Sequence, residues 1–186
     1  ALRGLHDRAM NASNDMGDRK DMLQEALMAQ RQMLIDAIGK PGEEIPQAFT
    51  PYKEVLDVYD EGLELPDDVT IIWPDDNYGY MKRLSSPKEQ KRSGRSGVYY
   101  HSSYLGKPHD HLWMNTISPT LMYEELRKAY DATADRIWLL NAGDIKSCEF
   151  AVDYFLTMAF DIDSFNFERA ANYRTEWLCG MLGDQY

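Results

Sequence analysis

The sequence is poor in cysteine, short of basic residues relative to acidic ones, and free of long apolar runs. Its two cysteines, Cys148 and Cys179, form neither a disulfide framework nor a metal-ligand spacing. Lysine and arginine number 20 against 31 aspartates and glutamates, so the net charge of −11 excludes nucleic acid and anionic membrane surfaces as expected partners. No apolar run approaches the roughly 20 residues that a membrane-spanning helix needs.

Several catalytic signatures are also missing from the 186 residues. There is no Gly-x-Ser-x-Gly nucleophile elbow, no phosphate loop and no Gly-x-Gly-x-x-Gly turn, and no cofactor is predicted. Neither cysteine follows an apolar strand-like run, which disfavours a cysteine nucleophile. The chemistry that remains is that of carboxylates surrounded by aromatic rings.

Short apolar runs alternate with amphipathic stretches along the chain. Strands are predicted at residues 47–52, 69–73, 97–101 and 136–140, with a weaker run at residues 2–6. Helical periodicity covers residues 18–38, 119–133 and 148–160, and a polar-aromatic helical tail covers residues 165–186. Apolar strands separated by helices indicate an α/β fold with a parallel sheet covered on both faces.

The number of βα units limits the architecture. About five units occupy roughly 160 residues, whereas a complete eight-unit barrel takes about 250 residues. Two folds fit this count: a small doubly wound sheet, or a barrel that lacks its first three units. The pattern changes after Ile162, which predicts an α/β domain over residues 1–162 and the start of another module over residues 163–186.

Polar side chains follow every predicted strand. They are His6 and Asp7, then Glu54, then Asp75, Asp76 and Asn77, then His101, and finally Asn141. One such residue is often only a turn residue or a helix cap. Their recurrence at each strand end favours a site, because the carboxyl ends of parallel strands meet on one face.

Two alternatives compete with a carboxylate mechanism. His109-Asp110-His111, together with His101, suggests a metal-dependent hydrolase, but no further ligand lies within sequence reach and no metal is predicted. A non-catalytic carbohydrate-binding module would keep the cleft without the chemistry. The carboxylates Glu54 and Asp75 favour hydrolysis, since glycoside hydrolysis needs one carboxylic acid and a second carboxylate, and nearby aromatic rings can stack on sugars.

Longer blocks carry a family resemblance. Trp-Pro-Asp-Asp-Asn-Tyr-Gly-Tyr at residues 73–80, Ser-Gly-Val-Tyr-Tyr-His at 96–101, Pro-His-Asp at 108–110 and the block at 134–144 resemble the xylan α-1,2-glucuronidases of glycoside hydrolase family 115. Residues 3–7 and 52–54 fit the same family, so the resemblance covers almost the whole chain.

The resemblance implies a fold and a reaction. The chain would be the later part of a TIM-like (β/α)8 barrel running into a helical domain. The family removes glucuronic or 4-O-methyl-glucuronic acid from xylan with inversion. By resemblance Glu54 is the general acid and Asp75 a candidate general base, with another carboxylate from the first barrel strands as an equal candidate.

The resemblance also implies a uronate pocket, a polysaccharide partner and a location. Substrate-binding residues would be Arg3, which pairs with the substrate carboxylate, and His6, Asp7, Asp76, Asn77, Tyr99, His101 and Asn141. The partner would be glucuronoxylan or decorated xylooligosaccharides, and the protein would be secreted or periplasmic. Self-association would use domains outside this chain. Alone, the 186 residues are expected to be inactive, because an open barrel leaves sheet edges unpaired.

Overall fold

The computed structural model describes residues 15–146 and 148–183. Within these ranges one sheet contains four strands: β1 (Ala48–Phe49), β2 (Thr70–Pro74), β3 (Ser96–His101) and β4 (Ala134–Asn141). Their order in the sheet is their order in the chain, and the pairs β1/β2 and β3/β4 are parallel. The predicted parallel α/β sheet is confirmed, while the weaker run at residues 2–6 lies outside the described residues.

The described residues contain five α-helices. They are α1 (Met16–Ile38), α2 (Glu54–Asp60), α3 (Pro119–Asp131), α4 (Glu149–Phe160) and α5 (Phe167–Leu182). The four periodic stretches of the sequence are confirmed as helices to within a few residues, whereas α2 was not predicted. None of the described helices is both long enough and apolar enough to cross a membrane.

The ends of α1 follow directly from its sequence. The Asp15 side chain accepts hydrogen bonds from the backbone N–H groups of Gly17 and Asp18, which have no partner inside the helix. At the other end Gly39 adopts the left-handed conformation (φ 72°) and donates its N–H to the carbonyl of Ile35. Glycine adopts this conformation without steric cost, so the helix ends there.

The chain divides into two compact units. The described part of the first unit comprises residues 15–71 and 91–95, and that of the second comprises residues 72–90, 96–146 and 148–183. The predicted boundary after Ile162 stays a prediction.

The first unit has a small apolar core. It comprises Leu23, Phe49, Val55, Val58, Leu63 and Val69. Leu23 is the one buried residue of α1, while Met33 on the predicted apolar face is 55% exposed. A bidentate ion pair of 2.8 and 2.9 Å joins Arg31 on α1 to Asp68 just before β2. Planar pairing of this kind is the strongest geometry that a guanidinium and a carboxylate can form.

The second unit has a larger core between strands and helices. Its fully buried side chains come from β2, β3, α3 and α4 and include Ile72, Trp73, Val98, Tyr100, Met122, Leu126, Phe155 and Met158. Burial of this much apolar surface is the main stabilising contribution to the unit.

The pairing of β3 with β4 depends on one glycine. A Cβ atom on Gly97 would lie 2.1 Å from the carbonyl oxygen of Ile137, and the register shifts between Ser96 and Val98. Burial of the sheet on both faces holds for β2 and β3, but in β4 Ile137 and Leu139 are 37% and 45% exposed. The prediction of a sheet covered throughout is therefore wrong for β4 in this chain.

Candidate functional site

A polar cluster lies at the carboxyl ends of the strands in the second unit. Asp75 directly follows β2, and His101 and Asn141 are the last residues of β3 and β4. The imidazole Nδ1 of His101 lies 2.5 Å from Oδ1 of Asp75. Asn141 donates from Nδ2 to the Tyr99 hydroxyl at 3.1 Å, and the Tyr99 and His101 rings have centroids 4.5 Å apart. The structure thus brings together four of the predicted site residues.

Asp75 is buried and surrounded by hydrogen-bond donors. Its Oδ1 accepts from His101 Nδ1 and from the N–H of Asn77 at 3.1 Å. Its Oδ2 accepts from the N–H groups of Gly79 and His101 at 3.0 and 3.3 Å. The side chain has no exposed surface. A carboxylate can be buried at acceptable cost only with such donors, and the Nδ1 contact fixes the orientation of the His101 ring.

The loop at residues 75–80, called the site loop below, is organised by both of its aspartates. Asp75 accepts the N–H groups of Asn77 and Gly79, while Asp76 Oδ1 accepts those of Tyr78 and Tyr80 at 3.0 and 3.1 Å. Four successive backbone N–H groups therefore donate alternately to the two carboxylates. Asp76, a predicted substrate-binding residue, therefore holds the backbone of the site loop.

A buried tyrosine forms a hydrogen bond with the backbone of the site loop. Tyr100 donates its hydroxyl to the carbonyl of Gly79 at 2.9 Å. Gly79 has φ 95°, and a Cβ there would lie 2.9 Å from that hydroxyl oxygen, so glycine is required. Burial, followed by the charge of Asp75, raises the pKa of Tyr100 far above its usual range. The hydroxyl therefore stays protonated and remains a donor.

A second loop, after β3, lies against the site loop. Tyr104 and His111 pair as an isolated antiparallel bridge, and the His111 ring contacts the carbonyl of Asn77 from Nε2 at 2.6 Å. The Tyr78 ring stacks on His109 at 4.7 Å, and its hydroxyl donates to the His109 carbonyl at 2.8 Å. Two of the three histidines of the metal alternative, His109 and His111, thus act as packing and hydrogen-bonding groups between loops.

No group of three or more His, Cys, Asp or Glu side chains suited to a metal ion occurs in residues 15–146 and 148–183. His101, His109 and His111 therefore do not form the ligand set that the metal alternative requires within these ranges.

The comparisons with known proteins decide the family. The model of glycosyl hydrolase family 115 matches residues 1–186. The chain belongs to this family. The solved structure of BtGH115A, described as a family 115 4-O-methyl-α-glucuronidase with specificity for decorated arabinogalactans, is 42% identical and superimposes with a TM-score of 0.88. The match covers 92% of this chain and 22% of that chain. No curated protein sequence matches.

In this family 115 chain, Glu54 lies in the first unit as the first residue of α2, and it is exposed. Lys53 before it has φ 53° and ψ −124°, a backbone region that costs a non-glycine residue about 1–3 kcal/mol. Such strained positions cluster at active sites. The role of Glu54 stays a prediction. Arg3, His6 and Asp7 lie outside the described residues.

Sequence reasoning missed one residue that holds the backbone directly after the site loop. Glu125 on α3 is buried and accepts the N–H of Met81 at 2.7 Å and the Lys128 ammonium at 2.6 Å. A carboxylate on the same helical face as Met122 and Leu126 was the available signal, because an ionised group on a buried face needs a partner.

Proposed function

We propose that this family 115 chain is part of an α-glucuronidase that hydrolyses glucuronic or 4-O-methyl-glucuronic acid side chains from a decorated polysaccharide. The observation that carries the proposal is the 42% identity with BtGH115A, a 4-O-methyl-α-glucuronidase, across 92% of the chain. The cluster of Asp75, Tyr99, His101 and Asn141 supports a site for a polar ligand, since sugars are recognised by such hydrogen-bonding groups.

The proposed architecture is the later part of a TIM-like (β/α)8 barrel. The strands lie in the order of the chain, with no reversal. Barrel strands follow one another in this way, whereas a doubly wound sheet reverses its order at the point where ligands bind. The strand order therefore favours the barrel of the two folds that the unit count allowed.

In the proposed inverting reaction one carboxylic acid protonates the leaving oxygen and a carboxylate activates water. We assign the role of the acid to Glu54. The residues that we assign to the uronate pocket are Asn77, Tyr99, His101 and Asn141. The sequence adds four further substrate-binding residues, which are Arg3, His6, Asp7 and Asp76. The sequence predicts Asp75 as a candidate general base. Its four N–H contacts support the alternative, in which the base lies elsewhere, because a base must offer a lone pair to water.

Two polysaccharides are candidate substrates. Glucuronoxylan is the substrate expected from the sequence, and a decorated arabinogalactan is the second candidate because BtGH115A has that specificity. Either polysaccharide is extracellular, which supports secretion or a periplasmic location.

The test is proton NMR of the complete gene product acting on glucuronic-acid-decorated xylooligosaccharides and, separately, on a decorated arabinogalactan. We expect β-configured uronic acid as the first product and a loss of roughly 10²- to 10⁴-fold in rate for Glu54→Ala. Glu61→Ala, which removes another exposed carboxylate next to the same helix, is the control and should keep the parent rate. Absence of uronic acid would favour the carbohydrate-binding alternative, and an active Glu54→Ala variant would remove Glu54 from the mechanism.

A further inference from the structure

We propose that His111 is a positioning residue that fixes the backbone of Asn77 in the uronate pocket. The proposal rests on the proposed function, in which Asn77 contacts the substrate. His111 is 34 positions away in the chain, and the sequence alone suggested it only as a metal ligand. Its contact with Asn77 gives it a different task, which the next observations define.

The hydrogen-bond pattern of His111 determines its tautomer. Nε2 lies 2.6 Å from the carbonyl oxygen of Asn77, and a carbonyl can only accept, so Nε2 carries the hydrogen. The other nitrogen, Nδ1, is buried and has no hydrogen-bond partner in the described part of the chain. The imidazole therefore acts as a single directed donor to the Asn77 carbonyl.

The ring of His111 is itself held in place. Its backbone exchanges two hydrogen bonds with Tyr104, at 2.9 and 3.0 Å. Its ring packs near those of Tyr78 and Tyr104, with centroid distances of 5.4 and 6.3 Å, and the residue is 9% exposed. A donor fixed by its backbone and by its neighbours can fix an acceptor in turn.

The acceptor belongs to a residue whose conformation needs support. Asn77 has φ 71°, in the left-handed region that non-glycine residues rarely adopt. Asp75 accepts its N–H at 3.1 Å, and His111 donates to its carbonyl. Both peptide groups of Asn77 are therefore held, from β2 on one side and from the loop after β3 on the other. Loss of the His111 donor would remove the hydrogen bond that holds this carbonyl from the loop after β3, and would make the left-handed conformation easier to leave.

The experiment compares two substitutions in the complete gene product. In His111→Gln the amide nitrogen lies near the position of Nε2 and keeps the donor, whereas the shorter side chain of His111→Asn cannot reach the Asn77 carbonyl. We expect His111→Asn to lower kcat/KM for the decorated oligosaccharide by roughly 10- to 100-fold, mainly through KM, because one part-buried hydrogen bond is lost. His111→Gln should restore most of that loss.

A double-mutant cycle tests whether His111 acts through Asn77. If it does, His111→Asn should have little further effect on kcat/KM when Asn77 is already alanine. Full additivity of the two losses, or equal impairment by His111→Gln and His111→Asn, would overturn the proposal.

A readout independent of catalysis separates this proposal from the proposed function. Amide hydrogen exchange, measured by mass spectrometry on peptides covering residues 75–80, should rise at least several-fold in His111→Asn and stay near the parent rate in His111→Gln. If the parent releases no uronic acid, the function fails while the exchange rates still test the positioning role. Unchanged exchange in His111→Asn would contradict it.

Discussion

The Nδ1 atom of His101 lies 2.5 Å from Oδ1 of Asp75, and the two side chains are 1% and 0% exposed. The same carboxylate accepts three backbone N–H groups, two from the site loop and one from His101 itself. It thereby joins the end of β2 to the end of β3 through a single buried side chain. This arrangement makes Asp75 important for the stability of the two strand ends.

Asp75→Asn should destabilise the protein and reduce its activity together. The amide keeps the shape of the carboxylate but replaces one acceptor with a donor, so at least one facing N–H loses its partner. We expect the free energy of unfolding to fall by about 1–3 kcal/mol, measured by urea denaturation beside kcat/KM. Exposed Asp144→Asn is the control for the charge change. Lost activity at unchanged stability would instead identify Asp75 as a base.

Gly97→Ala should disrupt the pairing of β3 with β4. The new methyl group would lie 2.1 Å from the Ile137 carbonyl oxygen, which is backbone and cannot rotate away. Overpacking of this kind costs about 1–3 kcal/mol or more. Gly180→Ala is the matched control: it lies inside α5 with nothing within 4 Å of the added Cβ, and should stabilise the helix by about 0.5–1 kcal/mol. Equal unfolding midpoints for the two variants would contradict the β3/β4 geometry.

Glu176→Gln should reduce stability at neutral pH and have no effect in acid. The Arg169 guanidinium, at 2.9 and 3.2 Å, lowers the pKa of the Glu176 carboxyl. The folded pKa lies below the unfolded one, so the stabilisation is present above the unfolded pKa and is lost as pH falls through the folded pKa.

Because Glu176 is 53% exposed, screening limits its contribution to about 0.2–1 kcal/mol. Unfolding of the parent and of Glu176→Gln should be compared at pH 7 and pH 3, and at low and high salt. A difference that does not shrink between pH 7 and pH 3, or that persists in high salt, would show that packing, and not charge, is responsible.

Local sequence pattern predicted most of the secondary structure. Apolar runs located the four strands because a strand buried on both faces has a distinctive composition, as at Ile72 and Trp73. It did not predict α2, since seven residues are too few for a periodic signal. It overestimated the burial of β4, because a pattern of apolar residues such as Ile137 and Leu139 does not identify what covers them.

The sequence predicted that residues at the strand ends lie together, but it did not predict the contacts that hold the loops. The rule that parallel strand ends converge correctly joined Asp75, His101 and Asn141. The contact of His111 with Asn77 and that of Glu125 with Met81 join residues 34 and 44 positions apart through loops. Such contacts depend on tertiary packing, which a single sequence encodes only jointly with the rest of the fold.

The alternating hydrogen bonds of the site loop have a consequence for ligand affinity. Four successive N–H groups are already satisfied by Asp75 and Asp76, so the loop has lost its conformational entropy before any ligand arrives. A ligand that contacts the loop therefore does not have to compensate for ordering it, and more of the contact energy remains available as affinity. The entropic cost of ordering this loop is met during folding.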